Sequence, residues 1–128
     1  MGEIRPVLLV TGHDDTAELY RLALEHAGFD ARCFKHPKDA VVASLDTPPF
    51  AIVVHLHPGH DPYAIGSLFR QAGTGAILIG LFSMELSLAS LKRVLERFDD
   101  VVMIPCSPEA LISRLLRLGA LKRRRESA

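Results

Sequence analysis

The sequence predicts an α/β domain in three layers, a five-stranded parallel sheet covered by helices on both faces. Two observations carry that prediction. Pro6–Val10, Phe50–Leu56, Ala76–Leu81 and Val101–Ile104 are short, nearly unbroken apolar runs, the pattern of strands buried on both faces. Between the runs lie segments with apolar residues three and four apart, bounded by Gly, Pro, Asp and Ser. Strand and helix alternate from end to end, and that alternation requires parallel strands joined by crossover helices. With 128 residues, 48% of them apolar, the chain makes one domain with its own core.

The elements follow in order. Pro6–Val10 is the first strand, closed by Thr11-Gly12-His13. Asp14 or Asp15 is suited to cap the next helix, which runs to about Ala27 with Leu19, Leu22, Ala23 and His26 or Ala27 on one face. Gly28 stops it. Asp30–Phe34 is a mixed-polarity strand suited to a sheet edge. His36-Pro37 opens a second helix through Val41, Val42 and Leu45, broken by Asp46-Thr47-Pro48-Pro49. The central strand, 50–56, ends in a loop rich in histidine. Pro62 opens a third helix with Ala64, Ile65, Leu68 and Phe69 on its apolar side, and Gly73–Gly75 is a turn.

After the fourth strand, Ser83 is placed to cap a long helix, Leu86 to Phe98, with Leu88, Leu91, Leu95 and Phe98 at helical spacing. Asp99-Asp100 ends it. The last strand, Val101–Ile104, meets Pro105 at once, and Ser107-Pro108-Glu109 is a strong start for a final helix. That helix carries Leu111, Ile112, Leu115, Leu116, Leu118 and Leu121. The chain beyond Gly119 reads as a frayed end or a disordered tail, which sets the domain at 1–119 and a basic tail at 120–128.

Composition excludes several classes. Formal net charge is zero, and Lys122-Arg123-Arg124-Arg125 is a local run on an otherwise mildly acidic chain. A nucleic-acid-binding domain spreads basic residues over a face, so no nucleic acid is expected. Such a terminal run commonly complements the helix dipole. No run is long enough for a membrane span and no secretory leader precedes the first strand, so a cytoplasmic location is expected. Cys33 and Cys106 lack metal or redox spacing and read as reduced, buried thiols.

The chain resembles the receiver domains of response regulators in two-component signalling. The resemblance rests on Val7-Leu8-Leu9-Val10, on Glu25-His26-Ala27-Gly28-Phe29, on Thr47-Pro48-Pro49-Phe50-Ala51-Ile52-Val53-Val54, on Pro58-Gly59-His60-Asp61, and on Asp99-Asp100-Val101-Val102-Met103-Ile104-Pro105. It implies a flavodoxin-like (βα)5 fold with strand order 2-1-3-4-5. It also implies a phosphorylation site at the strand ends, and there the sequence departs from the family. Counting back from Gly28 places the Mg²⁺-binding acid pair at Gly12 and His13. The phosphoacceptor Asp falls at His55, the Ser or Thr at Gly80, the switch aromatic at Val101 and the Lys at Ile104. Pro105 alone is retained, and the family implies a cis bond before it.

An aspartyl phosphate needs a carboxylate nucleophile, a divalent cation and an ammonium to stabilise the transferring charge. None stands at these positions, so a degenerate receiver that escapes the family's phosphorylation is expected, with no cofactor and no enzymatic activity. With no output domain after Gly119, its effect is expected to pass through a protein partner or a homodimer. The resemblance implies the face of the fourth helix, fifth strand and fifth helix, with Leu91, Leu95, Leu111, Leu115 and Leu118 as candidate contacts. The alternative is a metal- or pH-sensing module using His13, His55, His57 and His60.

Overall fold

The structure, a computed structural model, describes residues 5–57, 61–83, 87–104 and 107–127. Its elements are β1 (Arg5–Val10), α1 (Asp14–His26), β2 (Phe29–Phe34), α2 (Pro37–Asp46), β3 (Ala51–Leu56), α3 (Pro62–Gln71), β4 (Ile77–Phe82), α4 (Leu88–Leu95), β5 (Asp100–Met103) and α5 (Pro108–Ser127). All strand pairs are parallel, and the sheet order is β2-β1-β3-β4-β5. The fold class is the one the sequence predicts, and the strand order is the one the receiver resemblance implies.

Alternate residues of each strand feed two separate cores. Val7, Leu9, Val53, Ile79, Leu81 and Val102 meet Tyr20 and Leu24 of α1 and Leu111 and Leu115 of α5. On the other face Leu8, Val10, Ile52, Val54, Leu56, Leu78 and Phe82 meet α2, α3 and α4 through Ala40, Phe69, Val94 and Phe98. Every residue of β3 and β4 is buried, which is why their sequences are nearly unbroken apolar runs.

The helices turn differently from the sequence expectation. In α1 the buried residues are Tyr20 and Leu24, while Leu19 and Leu22 are about half exposed at 51% and 52%. Tyr20 is the larger apolar body, so its stripe faces the sheet. In α2 the inward residues are Ala40 and Ser44, and Val42 and Leu45 point to solvent. Small side chains let this helix approach the sheet closely, and Ser44 satisfies its hydroxyl by donating to the Val41 carbonyl at 2.7 Å. In α3, Phe69 is buried as expected, Ile65 and Leu68 are half-buried, and Ala64 is exposed. The second fully inward residue is Gly66, where a Cβ would lie 2.6 Å from Arg97 Cβ.

Helix α4 is shorter than expected. Its cap is Ser87, whose Oγ accepts from Ser90 N–H at 3.1 Å, in place of Ser83. Val94 and Phe98 are buried, whereas Leu88 and Leu95 are exposed. The chain leaves the helix because Asp99 binds β4 twice: its N–H donates to Leu78 O at 2.7 Å and its carboxylate accepts from Leu78 N–H at 2.8 Å. The expected boundary at Gly119 lies inside α5, which continues to Ser127. Gly119 is there for close approach: a Cβ would stand 2.7 Å from Phe50 Cζ. Phe50 in turn stacks on Phe29 with centroids 5.7 Å apart. Gly28 does end α1, at φ +97° with its N–H on the Glu25 carbonyl. Cys33 is exposed on edge strand β2 rather than buried, and Cys106 lies outside the described residues.

Candidate functional site

The crevice beyond the C-terminal strand ends is built first by register. Val10 of β1 pairs with Val54 of β3, so the next residues, Thr11 and His55, stand side by side at the strand tips. Both are buried, Thr11 at 5% and His55 at 6% exposure. Thr11 Oγ1 and His55 Nδ1 are 2.9 Å apart, and Thr11 Oγ1 also accepts from His13 N–H at 3.1 Å. The imidazole is thereby fixed in orientation by a neighbouring hydroxyl, which is how a polar group is accommodated at a buried strand end. His57, half-buried, lays its ring 4.3 Å from that of His55 at a tilt of 49°.

Sequence reasoning missed Thr11. The residues directly after β1 are Thr11 and Gly12, whereas the count back from Gly28 stops at Gly12 and His13 and so leaves Thr11 out. The count assumes a loop length that the strand end does not share. A lone threonine carries no motif, and only the strand register reveals it.

His13 is not brought to His55 by its side chain. It is the exposed cap of α1, with Nδ1 accepting from Thr16 N–H at 3.2 Å and 2.9 Å from Thr16 Oγ1. It takes the role expected of Asp14 or Asp15. Those acids sit in the first turn, where they complement the positive end of the helix, and Asp14 faces Lys35 at 3.8 Å. Asp61 likewise caps α3, its Oδ1 accepting from Tyr63 and Ala64 N–H at 3.1 and 3.4 Å. His60 and Pro105, with the peptide bond before Pro105, lie outside the described residues. Among the described residues, no group of three His, Cys, Asp or Glu is placed to hold a metal ion.

The far wall of the crevice is apolar. Leu81, fully buried, stands opposite His55 on β4, and Gly80 stands opposite Val54 one step deeper. A Cβ on Gly80 would come within 3.1 Å of Leu56 Cδ1 and 3.2 Å of Phe82 Cε2, so this glycine makes room for side chains of β3 and β4. Ser83, exposed, is the first residue past the strand end. Val101 pairs with Gly80 and packs on the α2–α4 core, while Ile104 packs on the α1–α5 core and donates its N–H to Phe82 O at 2.6 Å. The described crevice residues at β1, β3, β4 and β5 thus present imidazole, hydroxyl and hydrocarbon.

On the outer face of α4, β5 and α5, the expected apolar contacts separate into two groups. Leu111 and Leu115 are fully buried core residues and are unavailable to a partner. Leu118 is half-buried against the same core, and Leu91 is half-buried on α4. Exposed apolar side chains on these elements include Leu95, Met103 and Leu116. Asp100 and Arg114 bridge β5 to α5 at 2.6 Å. Among the described residues no helix is long and apolar enough to cross a membrane.

No family model and no curated protein matches the sequence. Solved structures do. The chain is similar to a CheY-like response regulator receiver domain protein from Methanospirillum hungatei, with TM-score 0.83 and 13% identity over 96% of this chain and 99% of that one. It is similar to a CheY-like receiver domain from Methylobacillus flagellatus, with TM-score 0.77 and 21% identity over 90% and 98% of the two chains. It is also similar to chemotaxis protein CheY4 of Vibrio cholerae, with TM-score 0.80 and 16% identity over 90% and 98%. With the strand order β2-β1-β3-β4-β5 and the helices split two and three between the faces, these likenesses establish that the chain has the fold of a response regulator receiver domain.

Proposed function

We propose that this chain is a receiver-like signalling module of a two-component-type pathway that acts by docking to a protein, independently of phosphorylation. The observation that carries the reading is His55. A buried imidazole bound to Thr11 occupies the tip of the middle strand, with Leu81 opposite it on β4 and Ile104 following β5 on the far side of β4. Phosphoryl transfer to a carboxylate needs the carboxylate itself, then charge to neutralise the oxygens. The positions of the pocket read here — Thr11, Gly12, His13, His55, Gly80, Val101 and Ile104 — contribute neither an acid nor an ammonium.

Docking then falls to the α4–β5–α5 face or another helix surface, with a protein partner or a second copy of the chain. Leu95 and Leu116 replace Leu111 and Leu115 as the apolar contacts available there. The reading includes no enzymatic step. The test is affinity capture by the wild-type chain and by the Leu95→Glu/Leu116→Glu variant, each with and without Mg²⁺ and a small phosphodonor. The reading predicts partners, or self-association in sedimentation, that the variant loses and the phosphodonor leaves unchanged. Capture that appears only with the phosphodonor contradicts it.

A further inference from the structure

The basic run near the end of the chain is not used by the docking reading, and the fold gives part of it a specific place. Helix α5 passes the N-terminal edge of β4, at the end of the sheet opposite His55. There a pocket of about 240 Å³ is lined by Arg70, Gly75, Asp99, Leu121, Lys122 and Arg125. Lys122 and Arg125 are three apart on α5, so they share a face with Leu121 and point to the pocket. Complementing the helix dipole is sufficient reason for Arg123 and Arg124. It does not explain why the other two cations converge with an arginine from α3.

We propose that this pocket is a binding site for a compact phosphate-type dianion. Arg70 is held in place before any ligand arrives: its Nε donates to Arg97 O at 2.8 Å, and its Nη2 lies 3.1 Å from Asp99 Oδ2. Asp99 is fixed in turn by Leu78 N–H. Lys122 donates to the carbonyl of Gly75, a neutral acceptor that uses one of the ammonium's three N–H groups. Gly75 presents that carbonyl from a turn in which it stands at φ +70°. Three cations against one carboxylate leave the lining with an excess of two positive charges. The C-terminal end of α5 opposes an anion with only about half a charge, so the cations dominate. Charge-assisted contacts from a planar guanidinium and an ammonium match phosphate oxygens well.

Phosphate chemistry of this kind arises in a soluble phosphomonoester or in a lipid headgroup, and one experiment separates them. Amide spectra of the full chain are recorded during titration with phenyl phosphate at constant ionic strength, balanced by chloride. Binding to vesicles of phosphatidylcholine containing phosphatidic acid is measured in parallel. The site predicts saturable one-to-one binding, with shifts concentrated at residues 73–77 and 118–125, and at least a tenfold loss in the Lys122→Gln/Arg125→Gln variant at unchanged thermal midpoint. The single Arg125→Gln variant serves if the double variant unfolds. Binding to phenyl phosphate identifies a soluble ligand. Binding to vesicles alone, lost in the same variant, identifies a headgroup. Non-saturating shifts that follow ionic strength, binding unaltered by the variants, or no binding in either arm overturns the proposal.

Discussion

The two ends of the sheet differ in what they do with charge. At the C-terminal end, the strand tips converge on a buried imidazole and hydroxyl, Thr11 and His55, backed by Leu81. At the N-terminal end, beside β4, Arg70, Asp99 and Lys122 stand close together and partly in solvent. The first end is where open parallel α/β sheets ordinarily place their chemistry. Here it is built as an extension of the core, held by a side-chain hydrogen bond in low dielectric. The second is a surface arrangement whose ion pair is screened by water and contributes little stability. The same fold thus gathers exposed cations around a pocket at one end and buries a hydrogen-bonded imidazole and hydroxyl at the strand tips of the other.

Placing a carboxylate at the buried strand tip breaks the contrast most severely. His55→Asp buries a carboxylate beside Leu81, and the variant is expected to lose roughly 3 kcal/mol at neutral pH, measured by urea unfolding. The folded pKa of that Asp is raised, so the loss is largest above it and eases as pH falls and the acid becomes neutral. Equal stability at pH 5 and pH 8 contradicts this account of the crevice.

Thr11→Val keeps the shape and removes the hydroxyl that serves both His55 Nδ1 and His13 N–H. A cost of about 1–3 kcal/mol is expected. A double-mutant cycle with His55→Leu should show coupling, and additive losses would mean the 2.9 Å contact carries no energy.

The charged end responds less. Asp99→Ala leaves the Leu78 N–H without its side-chain acceptor and removes the Arg70 ion pair, for about 1 kcal/mol. A loss as large as that of His55→Asp would abolish the distinction between the two ends.

The smallest effect is at the sheet edge. Desolvation raises the Cys33 thiol above its ordinary value of 9.0, with Arg21 pulling the other way. A raised thiol pKa favours the neutral form, so its contribution to stability is present below the unfolded value and lost as pH rises through the folded one. Peptide-resolved alkylation at pH 8 should be slower at Cys33 in the folded chain than in the urea-unfolded chain. Equal rates contradict the shift.

How much of this was legible in the sequence depended on side-chain size. The strands were, because a two-sided core demands unbroken apolar runs such as Ile52–Val54 and Ile77–Ile79. The helix faces were less so. A helix lying on a sheet buries small residues where it comes closest, and Ala40, Ser44 and Gly66 carry little or no hydropathy signal. Gly119 read as a terminator because its partner, Phe50, lies far away in sequence. At the candidate site, His55 was visible as the end of an apolar run. Thr11 was not, since its role comes from strand register rather than any pattern of neighbours.

The most direct test of the central claim is intact-mass measurement of the full chain after incubation with Mg²⁺ and a small phosphodonor, with an active receiver domain as positive control. The buried Thr11–His55 crevice, with no carboxylate at the middle-strand tip, predicts an unchanged mass for this chain while the control gains a phosphoryl group. A stoichiometric phosphoryl adduct on this chain, lost in His55→Ala, would contradict it.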